Sequence, residues 1–234
     1  MLKVSSLEKT FNNGKKNAVT VLSDISFTLE DGEKLAVAGV SGVGKSTLAR
    51  ILTGLERPDG GSVELNGVSL WSGGKRPRYD RAHGRKIQMV FQSPYDSLDP
   101  MQKAGRAVEE ALLFSGGAKD RKQAVKKRDE LFELVRLPLS LAERRPSALS
   151  GGQAQRVAIA RALALSPEVL IADEATAMLD VTSQAQIVRL LTELNRDRGL
   201  SLIFISHDAD LLDIAADRIL TLKDGALLPS DRED

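Results

Sequence analysis

The chain has 234 residues, with 33 Lys and Arg against 32 Asp and Glu, so its net charge is +1 and no global field argues for nucleic acid or an acidic membrane surface. The absence of cysteine excludes disulfides and thiolate metal sites and is compatible with a reducing compartment. With 42% hydrophobic residues the chain can build a substantial core, yet no uncharged apolar run reaches the ~18 residues that cross a bilayer, and MLKVSSLEKTF has no signal-peptide core. A soluble, cytoplasmic protein is the expectation.

In chain order, residues 19–32 set Ile25, Phe27 and Leu29 against polar neighbours, predicting an antiparallel strand within the first thirty residues. KLAVAG (34–39) predicts a buried strand, and KSTLARILTG (45–54) a helix stopped by Gly54. SVELNGVSL carries the hairpin turn signal Asn66-Gly67, and KIQMVF (86–91) predicts a further strand. Residues 102–165 change character: segments 105–114, 119–137 and 152–165 all have helical spacing with no strand between them. Strands resume at EVLIAD (168–173) and SLIFIS (201–206) around a helix over 183–198, and RILTLKDGALL closes as a hairpin at Asp224-Gly225. Short apolar runs alternating with longer amphipathic segments predict an α/β fold with a mostly parallel sheet and an inserted helical subdomain.

Three stretches carry chemistry. Gly39 to Thr47, GVSGVGKST, matches G-x-x-x-x-G-K-[ST] between a strand and a helix, the context of a phosphate-binding P-loop. Gly39, Gly42 and Gly44 let the backbone N–H groups turn toward phosphate, with Ser41 and Thr47 in the same loop. Lys45 supplies a cation to the β/γ-phosphates and the Ser46 hydroxyl is placed to ligate Mg²⁺. In VLIADE, a buried strand delivers Asp173 and Glu174 at its C-terminal edge, where parallel sheets place their ligands. Asp173 suits Mg²⁺, and Glu174 suits proton abstraction from attacking water, worth about 10²–10⁴-fold. The third stretch, LSGGQ (149–153), opens a helix with Ser150, Gly151, Gly152 and Gln153: either an ordinary capped helix start or a second anion site.

The P-loop, Gln92 ending a strand, LSGGQ, LIADE and His207 in FISHD stand in the order found in ATP-binding-cassette (ABC) ATPases, which the chain resembles from Val4 to about Leu228. IQMVFQSPYDSLDPMQKAG (87–105) and RRPSALSGGQ (144–153) resemble the ATPases of oligopeptide, dipeptide and nickel importers. The resemblance implies one ABC-type domain over 1–234, a P-loop NTPase fold with a RecA-like core. That core would span about 1–92 and 166–234 and include an N-terminal antiparallel β subdomain, with the helical subdomain about 93–165. Two cassettes would pack head to tail, so that Ser150 and its glycines close over ATP on the partner's P-loop. By the same resemblance Gln92 approaches Mg²⁺ and the attacking water, His207 hydrogen-bonds the γ-phosphate, and Asp180 lies in the loop crossing the interface. Phe11 either stacks on adenine or is a core phenylalanine. Lys45, Gln92, Glu174 and His207 are thus the catalytic candidates, and Ser46, Gln92 and Asp173 the metal candidates.

ATP and Mg²⁺ are the implied cofactors. The implied partners are transmembrane permease subunits, a second cassette of the same or a related chain, and, indirectly, an extracytoplasmic solute-binding protein, with this chain peripheral on the cytoplasmic face of the inner membrane. The family often has Pro after the catalytic Glu and then SALD; Ala175 and AMLD (177–180) stand here, which removes one hydroxyl from the cross-interface loop. Many oligopeptide-type ATPases continue with a further, sometimes cysteine-bearing segment, which is not expected in a chain closing with PSDRED at Asp234. The basic stretches 73–86 and 119–128 are expected to be solvated faces rather than nucleic-acid surfaces. Two rivals are a soluble cassette ATPase acting on ribosomes or DNA, which usually has tandem cassettes or a long coiled-coil insertion, and a regulatory module that binds ATP without useful turnover.

Overall fold

The computed structural model describes residues 1–12, 18–71 and 78–229. It opens with two strands, β1 (Leu2–Asn12) and β2 (Ala18–Leu29), followed by β3 (Lys34–Ala38) and helix α1 (Lys45–Leu52). The hairpin β4 (Gly60–Leu65) and β5 (Val68–Ser69) leads through the short α2 (Arg81–Gly84) to β6 (Ile87–Val90). Three helices follow, α3 (Ala104–Ser115), α4 (Arg121–Leu134) and α5 (Gly151–Leu163). The chain then alternates: β7 (Val169–Asp173), α6 (Val181–Arg198), β8 (Ser201–Ile205), α7 (Ala209–Ala215), and the closing hairpin β9 (Arg218–Lys223) and β10 (Ala226–Pro229).

Two sheets result. An antiparallel one runs β2-β1-β4-β5, and a six-stranded one runs β10-β9-β3-β8-β7-β6, parallel throughout except for the β9–β10 hairpin. All five residues of β7 and all five of β8 are buried, as unbroken apolar strands covered on both faces must be. Alternation divides their side chains. Leu35, Val37, Ile171 and Ile205 face a core shared with α1 and the antiparallel sheet, while Ala36, Leu170, Ala172 and Phe204 face a core built with α3 to α7. Helix α1, burying Leu48, Ala49, Ile51 and Leu52, therefore lies between the two sheets. Ser23 N–H donates to Gly225 O at 2.8 Å and pins the antiparallel sheet to the β9–β10 turn.

Ile25, Phe27 and Leu29 point inward as their alternation predicts, and β1 pairs with them as an early strand that the sequence alone did not reveal. Helix α1 ends at Leu52, with Gly54 at φ +76° completing the stop. Helix α7 is the other addition: seven residues, capped by Asp208, too short for periodicity to register. Of the basic stretches, 73–77 lie outside the described residues. Tyr79 is not offered to solvent, because its ring stands 5.0 Å from Trp71 and its hydroxyl donates to Leu52 O at 2.8 Å. In 119–128 most side chains are solvated, but Arg128 is not. It reaches into the helical layer and pairs with buried Glu109 at 2.7 Å, because only a paired carboxylate is tolerated there. Among the described residues, no helix is long and apolar enough to cross a membrane.

Asn66 and Gly67, at φ +52° and +77°, form the predicted tight turn, and a side chain at Gly67 would meet nothing within 4 Å. Gly61, at φ +83°, leaves no such room: its Cβ would stand 2.3 Å from Ser6 O. Gly67→Ala should cost only the left-handed penalty of about 1–2 kcal/mol, and Gly61→Ala clearly more, when both are compared by urea denaturation.

Candidate functional site

The P-loop leaves β3 at the C-terminal edge of the parallel sheet and runs into α1. Gly44, at φ +120°, passes so close to β2 that a Cβ would sit 2.6 Å from Val21 Cγ1. That fold turns Lys45 inward. Its side chain is 4% exposed, and Nζ donates to Gly39 O at 2.6 Å and Val40 O at 3.0 Å. The ammonium thus rests on the loop's own carbonyls.

Beside it, Ser46 Oγ donates to Asp173 Oδ1 at 3.1 Å, linking the first turn of α1 to the end of β7. Burial pushes the Asp173 carboxyl above the usual aspartate range, against the Ser46 hydrogen bond that favours ionisation, and the neighbouring Glu174 charge adds to the rise. Glu174 follows with φ +46°, a left-handed conformation that costs a non-glycine residue about 1–2 kcal/mol. Its N–H still donates to Ile205 O at 2.8 Å, so the backbone stays tied to β8 while leaving strand geometry. Its Oε1 lies 3.9 Å from Lys45 Nζ and 3.3 Å from Nδ1 of His207, the second residue after β8. The His207 side chain is 59% exposed.

Five candidates thus form one connected group: Lys45, Ser46, Asp173, Glu174 and His207. An acid, a histidine, an ammonium and a hydroxyl converging where three strands end and helix α1 begins can grip phosphate and take a proton from water. The hydroxyl of Ser46 and the carboxylate of Asp173 are hard oxygen donors. Among the described residues no three His, Cys, Asp or Glu are arranged to hold a metal ion by themselves, and Mg²⁺ is an ion that keeps water and phosphate oxygens in its shell.

The remaining candidates stand apart from this group. Gln92 is exposed just beyond β6. Phe11 is not the core phenylalanine that was one reading: it is 37% exposed, at the end of β1, because the strand has by then run past the core. Lys9 Nζ stands 4.8 Å from its ring centroid. Ser150 caps α5, accepting from Gln153 N–H at 3.3 Å while its own N–H donates to Gln153 Oε1 at 3.1 Å. That leaves the hydroxyl proton of Ser150 and the first helical N–H groups free for an anion. A Cβ on Gly151 would lie 3.1 Å from Leu179, and one on Gly152 would lie 3.3 Å from Ser183 Oγ. The LSGGQ signature segment (149–153) therefore packs on the segment holding Asp180, which itself caps α6 by accepting from Ser183 N–H at 2.9 Å. Sequence reasoning passed over Gln155, wholly buried in α5. A glutamine within the apolar run around Val157 to Ala160 was the available signal.

A family model described as ABC transporter matches residues 22–177. The chain is 41% identical over 216 residues to a dipeptide transport ATP-binding protein of Escherichia coli (strain K12), covering 92% of this chain and 64% of that protein, under two thirds of its length. It is 40% identical to a nickel import ATP-binding protein of Rhodospirillum rubrum, covering 92% of this chain and 76% of that one. Among solved structures it is similar to a dimeric ATP-binding cassette in a post-hydrolysis state with ADP and Pi, at TM-score 0.84 and 31% identity, covering 97% of this chain and 96% of that one.

Because burial raises the Asp173 carboxyl above its ordinary 3.8, the folded chain holds a proton that the unfolded chain releases. Stability from this group is therefore lost as pH rises from 3.8 through the raised native value. Nucleotide-free Asp173→Asn should melt above the wild type near neutral pH, and the gap should close below 3.8. Scanning calorimetry across that range measures both.

Proposed function

The chain belongs to the ABC transporter family, and from that membership we propose that it is the ATP-hydrolysing subunit of a membrane importer. The observation that carries the catalytic part is the contact chain from Ser46 to Asp173 and from Lys45 through Glu174 to His207. Lys45 exchanges the carbonyls of Gly39 and Val40 for the β- and γ-phosphates of ATP, which the P-loop N–H groups also receive. Ser46 and Asp173, with Gln92, are the residues that would hold Mg²⁺, which when bound would offset phosphate charge. Glu174 accepts the proton of the attacking water. His207, whose Nδ1 faces Glu174, keeps Nε2 for the γ-phosphate. Phe11, exposed at the strand end, stacks on adenine.

The second anion site is completed only by another cassette. Ser150, Gly151, Gly152 and Gln153 close over the γ-phosphate on the partner's P-loop, and Asp180 crosses the same interface. The dimeric cassette to which this chain is similar supports that arrangement. Outside the interface, a groove of about 380 Å³ between α3 and α5 is lined by Gln88, Ser97, Gln102, Phe114 and Arg161, with Phe114 77% exposed. It lies beside the segment that Gln92 opens and suits a short helix from a permease subunit. Closure and reopening of two cassettes would then be passed to membrane subunits from the cytoplasmic face, and a solute-binding protein outside would deliver the cargo. The names of the Escherichia coli and Rhodospirillum rubrum relatives favour a dipeptide or nickel-type solute.

Glu174→Gln should retain ATP affinity and lose at least ~10²-fold in turnover; near-normal hydrolysis removes Glu174 from its role. Lys45→Ala should instead weaken nucleotide binding itself, measured by calorimetric titration. A tagged pull-down of Glu174→Gln with Mg-ATP from detergent-solubilised membranes tests the transport reading. Recovery of two membrane proteins and a second cassette is the expected result, whereas ribosomal or DNA-bound partners, or this chain alone, would overturn it.

A further inference from the structure

Among the described residues, a single buried side-chain polar atom has no hydrogen-bond partner, and it is Oε1 of Gln155. Buried acceptors without partners are rare and costly, and a leucine or methionine would fill a helix interior without that cost. What the residue provides is its other end. Nε2 donates to Phe91 O at 3.2 Å, and Phe91 is the residue immediately before Gln92. The opposite amide orientation would set Oε1 against that carbonyl, so the donor must face Phe91. Gln155 lies in the second turn of α5, the helix that Ser150 caps.

We infer that Gln155 is a positioning residue for hydrolysis: it fixes Gln92 relative to the signature segment of the same chain. The inference rests on the ATPase reading above. In that reading the two linked segments serve different nucleotides, because Gln92 works at the chain's own P-loop while Ser150 works at the partner's. One amide hydrogen bond therefore ties the state of one ATP site to the geometry of the other.

The bond is not needed to keep α5 in place. The next residue, Arg156, is also buried, donating from Nη1 to Val135 O at 2.7 Å and from Nη2 to Gln186 Oε1 at 3.1 Å. Those contacts fix α5 to α4 and α6 but do not touch the Gln92 segment. Val157, Ile159 and Ala160 add apolar anchoring. Replacing Gln155 with methionine, close in volume and lacking polar hydrogens, removes the tie alone.

The test uses the complex purified through a tag on this chain, carrying wild type, Gln155→Met, Gln92→Ala or both. Gln155→Met should lower kcat for Mg-ATP about tenfold, the scale of a small misplacement, while KM for ATP stays at the wild-type value and the melting temperature does not fall. In the Gln92→Ala background the same change should have no further effect, since a residue acting through Gln92 has nothing left to position. Unchanged kcat, a fall in melting temperature that accounts for the lost activity, or an additive loss in the double variant would each overturn the inference. A wild-type complex without turnover would overturn the ATPase reading instead, and this inference with it.

Discussion

Three neighbouring strands, β3, β8 and β7, run parallel and wholly interior, and every proposed catalytic contact depends on their common direction. β3 hands the chain to the P-loop, β7 ends in Asp173 and Glu174, and β8 ends two residues before His207. Because β8 lies between the other two, its exit stands between theirs: Ser46–Asp173 closes across it, and Glu174–His207 joins it to the exit of β7. Antiparallel pairing would send half of these ends to the opposite edge of the sheet. The helices on both faces make the arrangement affordable, since they keep strands without polar alternation out of water.

The parts of this core that were legible in the sequence were those with strong local signals. The P-loop motif, the apolar runs of β7 and β8, and the turns Asn66-Gly67 and Asp224-Gly225 are each specified within a few residues. What escaped was short or non-local. Helix α7 spans seven residues, and β1 earns its strand conformation from partners on both sides rather than from its own pattern. Arg128 reads as one more surface cation until its pairing with Glu109, nineteen residues away, is seen. The left-handed backbone at Glu174 has no signal at all, since glutamate is an unusual choice there and its backbone is held by partners at Ile205 and Ala177.

The site shows a similar division. Sequence order assembled its roster, but geometry separates the residues that already touch from those awaiting a second body. Lys45, Ser46, Asp173, Glu174 and His207 are joined inside one chain. Phe11, Gln92, Ser150 and Asp180 are each exposed, and the last two are occupied as helix caps. A cap is well suited to double service. It holds the backbone in register by accepting from it and still has polar capacity left: a hydroxyl proton on Ser150, further acceptor lone pairs on Asp180. The contact of Gly151 with Leu179 places two such caps side by side, so both would meet a partner as one surface.

The resting place of Lys45 has a consequence for selectivity. With its ammonium satisfied by two main-chain oxygens, the loop closes on itself as an internal ion–dipole complex. An entering anion competes with those two acceptors for the three N–H donors of the lysine. A lone inorganic phosphate offers few replacement contacts, whereas a triphosphate spans the lysine, the backbone amides and the Ser46 hydroxyl together. On the proposed reading, the loop's own geometry would then favour a triphosphate over small anions, before any contact with the base or a second subunit is made.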